Sequence, residues 1–275
     1  MPAPAHGPLP PQHKRVAAAR RLRKRAFRAG DRAFLVEGPQ AVREALAPDG
    51  PAAVHEVFVV PEAAGRHPEL VAAAEAAGVP VTRLTATALA GLTETVTPQG
   101  VVAVCGLLDV PLAGVVEARP RLVAVLAQVR DPGNAGTVIR AADAAGADAV
   151  VLAGASVDPY NGKCVRASAG SLFHLPIVTG VPVADAVAGL RAAGLQVLAA
   201  DGAGERDLDD LQDGRALAGP TAWLFGNEAW GLPPEVRALA DAVVRVPIHG
   251  RAESLNLATA AAVCLYASAR AHRPC

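Results

Sequence analysis

The chain has 275 residues, 52% hydrophobic and 19% charged, which suits one large or two ordinary folded domains and excludes a disordered chain. Its formal net charge is zero, yet residues 1–32 set nine cations against the single acid Asp31. A basic arm on a mildly acidic body points to a polyanionic partner.

The four cysteines, Cys105, Cys164, Cys264 and Cys275, form no metal-spaced pair and read as reduced, mostly buried thiols. No apolar run is long enough to span a membrane: Leu257–Ala269 is too short and runs into Arg270. The basic N-terminus has no apolar stretch behind it, so it is not a secretory signal. A cytoplasmic protein without membrane or metal partners is expected.

Residues 1–12 are proline-rich without periodicity and are expected to be disordered. His13–Arg32, HKRVAAARRLRKRAFRAGDR, is helix-competent up to Gly30. Such a helix would repel itself, so contact with a nucleic-acid backbone is favoured over a solvated face. Lys14, Arg15, Arg21, Arg23, Lys24 and Arg25 are the candidate contacts. Residues 1–30 are thus read as a basic, partly disordered arm.

Strands and helices then alternate: strand 33–36, helix 39–47, strand 54–60, helix 67–77 stopped by Gly78, strand 79–84, a helical turn at 87–91 and strand 101–108. This predicts a small α/β domain over 31–108. No catalytic constellation, neither a histidine–carboxylate pair nor a glycine-rich phosphate loop, is expected in it. Residues 109–120, DVPLAGVVEARP, contain two prolines and read as a linker.

The second domain, 121–275, opens with strand 122–127, a polar loop at 130–136, a helix to Ala145 and strand 149–152. That is a βαβ unit, which implies a parallel sheet. Tyr160–Ser171 is polar and helix-like and carries Lys163 and Arg166. Helix 184–193, strands 196–200 and 221–225, a short helix at 234–240 and strand 242–248 follow. A polar loop, His249–Ser254, leads into a helix predicted from Leu255 to Ala269 that is small or apolar on every face. Such a helix must be packed on several sides. Ser254 is either its ordinary cap or, with Asn256, part of a site beside free helix N–H groups.

The polar loops at 130–136, 226–231 and 249–254 all follow strands, where open parallel sheets bind ligands. In the first, Asn134 stands where it can cap the helix, and Arg140 either makes a salt bridge or faces a pocket. In the second, glycines bracket Glu228 after a buried strand and allow close backbone approach. None is a dinucleotide fingerprint or a Walker sequence, which argues against a nicotinamide-dependent oxidoreductase.

Together, Asn134-x-Gly136-x-x-x-Arg140, Gly226-x-Glu228-x-x-Gly231, and Pro247-x-x-Gly250 with Ser254-Leu255-Asn256 resemble the three motifs of the SpoU (TrmH-like) RNA ribose methyltransferases, of the SPOUT class. Phe34-Leu35-Val36-Glu37-Gly38 and Thr97-Pro98-Gln99-Gly100-Val101 resemble that family's substrate-binding domain. The resemblance implies an α/β fold: a parallel-sheet SPOUT-type domain with a C-terminal trefoil knot, preceded by a small α/β substrate-binding domain. It implies S-adenosyl-L-methionine as cofactor, a ribose 2′-hydroxyl of structured RNA as acceptor (ribosomal RNA ahead of transfer RNA) and a homodimer. By position, Arg140, Asn134, Glu228, Ser254 and Asn256 would form the catalytic surface. Gly226, Val246, Leu255, Leu224 and Ile248 would hold the cofactor. Lys163 and Arg166 join the arm as RNA contacts. Leu257-Ala258 replaces a frequent Val-Ser after the third motif, and His249 a frequent small residue. The alternative is an inactive RNA-binding scaffold.

Overall fold

The computed structural model of the chain describes residues 7–47 and 53–273. They form two compact units, one holding the chain up to Leu108 together with Tyr160–His174, the other Asp109–Pro159 and everything from Leu175 onward.

The first unit is built on a four-stranded sheet of β1 (Ala33–Glu37), β2 (Val54–Val59), β3 (Val81–Arg83) and β4 (Val101–Gly106), in the order β1-β4-β2-β3. Strand β4 runs antiparallel to both β1 and β2, and β2 pairs parallel with β3. Tyr160–His174 belongs to this unit for a packing reason. Phe34, fully buried in β1, lies 4.7 Å from the Tyr160 ring and 6.3 Å from the Phe173 ring, and the Leu108 N–H donates to the Tyr160 hydroxyl at 2.8 Å. The predicted first domain, 31–108, lacked this distant segment.

The N-terminal segment is more ordered than its composition suggests. The Leu9 N–H donates to the Arg83 carbonyl at 2.9 Å, and the Leu9 carbonyl accepts from Thr85 at 3.1 Å, so residues near Leu9 extend the β3 edge. Residues 1–6 of the predicted disordered stretch lie outside the described residues. The basic segment forms two short helices, Lys14–Arg21 and Arg25–Asp31. Val16, Ala19 and Leu22 anchor it in the core. Arg28 is only 4% exposed and donates to the Leu22 and Arg23 carbonyls at 2.9 Å each, satisfying acceptors left open where the first helix ends.

The second unit has a seven-stranded sheet of β5 (Leu122–Ala127), β6 (Ala149–Ala153), β7 (Ile177–Thr179), β8 (Gln196–Ala200), β9 (Arg206–Asp207), β10 (Thr221–Phe225) and β11 (Ala242–Arg245). The order is β7-β6-β5-β10-β8-β11-β9, with neighbours parallel. Every residue of β5, β6 and β10 is buried, as expected for parallel strands covered on both faces. On one face Val123, Val125, Ala222 and Leu224 pack with Val187 and Leu190 of the Val183–Ala192 helix. The other face carries the Pro132–Ala144 and Leu257–Ala271 helices. There the buried Trp223 indole N–H donates to Ser268 Oγ at 2.9 Å.

Residues 109–120 are not a bare linker. Leu112–Glu117 is a helix that follows Pro111 and buries Val115 in this core, since a proline is tolerated at a helix start. Cys105, Cys164 and Cys264 are buried, burial pushes the Cys105 and Cys264 thiols up to about 12, and Cys275 lies outside the described residues. Among the described residues no helix is long and apolar enough to cross a membrane.

Candidate active site

Strands β5 and β10 are adjacent, with β6 and β7 on one side and β8, β11 and β9 on the other. The strand order therefore reverses between them, where open α/β sheets leave a crevice at the carboxyl ends. The loops after β5, β10 and β11 meet there.

A chain of hydrogen bonds ties them together. Glu228 Oε1 accepts from the Asp131 N–H and from Asn134 Nδ2, each at 3.2 Å, and Oε2 accepts from the Arg130 N–H at 3.3 Å. Asn134 Oδ1 accepts from Asn256 Nδ2 at 3.1 Å. Asn256 Oδ1 in turn accepts from the Ala258 N–H at 2.9 Å and caps the Leu257–Ala271 helix. One residue from each motif thus forms a single polar edge. Within the second loop, Asn227 and Gly231 exchange two main-chain bonds of 2.9 Å.

Two capping expectations change. The 132–144 helix is capped by Asp131, whose side chain accepts from the Asn134 N–H at 2.8 Å. Asn134 sits one turn in, and its side chain is released for Glu228 and Asn256. The last helix starts at Leu257, not Leu255, and its cap is Asn256 rather than Ser254. Ser254 and Leu255 are exposed in the loop before it.

A cleft of about 790 Å³ opens between the second and third loops, with Gly226, Val246, Ile248 and Leu255 in its walls. Glu228, Ser254 and Asn256 also line it. At Gly226 only glycine fits, because a Cβ there would lie 2.4 Å from the Gly231 carbonyl carbon. The main chain thereby forms one wall of the cleft. Leu224 is the predicted cofactor contact that does not reach it. Its side chain is fully buried among the residues facing the 183–192 helix, because alternate residues of β10 point to opposite faces. A second depression of about 750 Å³, bordered by Leu122, Gly146, Tyr266 and Arg270, lies at the amino end of β5, away from these loops.

Arg140 does not line the cleft. It is exposed on the 132–144 helix beside Thr137, with no side-chain hydrogen bond or ion pair among the described residues. The predicted RNA contacts divide likewise. Arg15 pairs with Glu56, Arg23 approaches Glu94 at 3.9 Å, and Arg21 stacks 4.1 Å from the Phe27 ring centroid. Arg166 is held by Glu37 at 3.1 Å and Glu94 at 3.8 Å. Lys14, Lys24, Arg25 and Lys163 are exposed. Among the described residues no group of three or more His, Cys, Asp or Glu is placed to hold a metal ion.

Sequence reasoning passed over Asp131, Asn227 and Trp230. Asn227 is 5% exposed, donates to the Gln128 carbonyl at 2.8 Å and accepts from the Ala229 N–H. The cue for Trp230 was available: a chain with only two tryptophans places one in a polar loop.

Residues 121–266 match the SpoU rRNA Methylase family, and residues 35–110 match the family described as RNA 2'-O ribose methyltransferase substrate binding. The chain is 35% identical over 256 residues to the 23S rRNA (guanosine(2553)-2'-O)-methyltransferase RlmP of Bacillus subtilis, covering 93% of this chain and 96% of that protein. Its fold is similar to an AdoMet-bound rRNA methyltransferase from Sinorhizobium meliloti, with a TM-score of 0.80, 33% identity and coverage of 94% and 95%. The SpoU methyltransferase AviRb of Streptomyces viridochromogenes, solved with the cofactor AdoMet, gives a TM-score of 0.79 at 33% identity and coverage of 94% and 98%.

Proposed function

The chain belongs to the SpoU rRNA methylase family, and from that premise we infer that it methylates a ribose 2′-hydroxyl of ribosomal RNA using S-adenosylmethionine. The observation that carries this is the edge Glu228–Asn134–Asn256, drawn from three separate loops, of which Glu228 and Asn256 line one cleft.

The cleft fits the cofactor. Its volume lies within the range of small-molecule sites, and the Gly226 wall offers main-chain groups to a neutral ring edge. Gly226, Val246, Ile248 and Leu255 would hold it. When bound, S-adenosylmethionine supplies a methyl group activated by its sulfonium. The protein's task is to align the ribose oxygen and to stabilise the charge that develops as its proton leaves. Asn134 and Asn256 fix the rim on which the ribose sits, with Ser254 beside them. Glu228 acts as a clamp on the first loop, since its oxygens are engaged by Arg130, Asp131 and Asn134.

Arg140 is proposed to stabilise the developing alkoxide. It stands on an exposed helix face and not at this cleft, so a second copy completes the arrangement. The neighbouring 257–271 helix exposes Val263 (40%) and Tyr266 (52%), and Tyr266 donates to the Ala144 carbonyl at 3.3 Å. We place a homodimer interface on this face, which brings Arg140 to the partner. The C-terminal knot is part of the same proposal. Support comes from the family resemblance of the three motifs, and the main chain at Gly204, where a Cβ would lie 2.7 Å from the Arg245 nitrogen, is packed directly against the strand that leads into the third loop. A cytoplasmic location completes the reading.

The test is methyl transfer from labelled S-adenosylmethionine to in vitro-transcribed ribosomal RNA, followed by mapping of 2′-O-methyl positions. One discrete site is the expected result. Label on a base, or none on RNA, would overturn the proposal.

A further inference from the structure

Trp230 stands at the tip of the loop after β10, and the methyl-transfer roles above leave it without one. It is 50% exposed, whereas Trp223 is fully buried. With two Trp, two Tyr and five Phe in the chain, the half-exposed indole beside the cleft presents a large aromatic face to whatever enters there.

The ring is also held in place. The Asn227–Gly231 main-chain pair closes the turn below it. The buried Asn227 side chain fastens that turn to Gln128 and Ala229. From the first loop the Arg130 guanidinium carbon lies 5.1 Å from the Trp230 ring centroid, and the Arg130 N–H is anchored on Glu228. The Arg130 cation from the first loop thus lies over one face of the indole from the second and backs it. The indole borders the cleft that Ser254 and Asn256 also line.

Aromatic faces and guanidinium planes together are the surfaces on which proteins stack unpaired bases. The surroundings suit that ligand better than a protein partner, because Arg130, Glu228 and Ala229 beside it are exposed and largely charged. A ribose brought to the Glu228–Asn134–Asn256 edge carries its own base into reach. We propose that Trp230 and Arg130 form a stacking platform for an unpaired nucleobase of the RNA, at the acceptor nucleotide or its immediate neighbour. This rests on the RNA methyltransferase reading.

Two measurements on the full-length protein test it, with in vitro-transcribed 23S rRNA as the probe. First, Trp230→Ala should lower kcat/KM for RNA by about 5- to 150-fold, the range spanned by base–aromatic stacking. Trp230→Phe should restore most of it. Both variants should bind S-adenosylmethionine within about twofold of wild type by calorimetry, and both should sediment as wild type does. Second, RNA should quench the wild-type tryptophan emission. Because Trp223 is fully buried, this quench reports Trp230 and should vanish in Trp230→Phe. The platform is overturned if Trp230→Ala keeps wild-type kcat/KM, if it loses cofactor affinity or self-association in step with activity, or if RNA leaves the emission unchanged. A wild-type protein that transfers no methyl group to any RNA would sink the parent reading instead, and the quench would still decide whether a base stacks on Trp230.

Discussion

At Glu228, three donors converge on one carboxylate: two main-chain N–H groups of the first loop and the Asn134 amide. A carboxamide there keeps one acceptor and turns its NH₂ toward a donor. Glu228→Gln should therefore loosen the first loop and cost about 1–2 kcal/mol of stability, read as a lowered denaturant midpoint, together with a fall in kcat. Glu228→Asp, which keeps both oxygens on a shorter stem, should be milder. Arg140 offers the opposite environment, an exposed cation with no side-chain partner among the described residues. A guanidinium has five donors and no acceptor, so it suits an alkoxide-stabilising role. Arg140→Ala should abolish turnover while cofactor affinity stays near wild type. Arg140→Lys should remain inactive at every pH, because a point charge does not replace the planar fork. Activity of Arg140→Lys that rises with pH would instead mark this position as a proton acceptor.

The N-terminal helices combine a core face, with Val16, Ala19 and Leu22 buried, and an exposed basic face. Deleting them would remove Val16, Ala19 and Leu22 from the core and confound any binding result. The informative variant neutralises the exposed Lys14, Arg20, Lys24 and Arg25 to Gln and leaves the buried residues alone. If these cations release counterions from RNA, the salt slope of binding should flatten by about 3, while cofactor affinity holds. An unchanged slope in filter binding across salt would reduce this element to a solvated face. The 257–271 helix is also dual: Ser268 and Cys264 face inward while Val263 and Tyr266 face out.

For the whole molecule, the outward face of that helix and of its 132–144 neighbour predicts a dimer at micromolar concentration in sedimentation. Val263→Glu combined with Tyr266→Glu should give a folded monomer with native circular dichroism and little methyl transfer. A doubly substituted protein that stays dimeric would move the interface elsewhere. Stability should also fall in alkali. Cys105 and Cys264 are raised from 9.0 to about 12 by burial. The folded state therefore holds these protons where the unfolded state has released them. That contribution is complete below pH 9 and declines as pH rises toward about 12. Urea midpoints measured across this interval should drop, and Cys105→Ala should reduce the drop.

How far the sequence alone reached follows from the range of the forces involved. The main strands of the second unit were legible because buried parallel strands are continuous apolar runs: 122–127, 196–200 and 221–225 coincide with β5, β8 and β10. Motif order placed Asn134, Glu228 and Asn256 at strand ends, and the SpoU family resemblance named their chemistry. The short elements β7 and β9 and the Leu208–Asp213 helix carry too few residues for a period to appear. Capping was decided by tertiary structure: Asp131 and Asn256 cap where Asn134 and Ser254 were also suitable, because Asn134 has better partners far along the chain. The same holds for Leu224, turned to the wrong face of its strand, and for Tyr160 and Phe173, drawn to Phe34 more than a hundred residues away. Local pattern determines which residues must be buried; which distant residue shares that burial or hydrogen bond is settled only when the chain closes on itself.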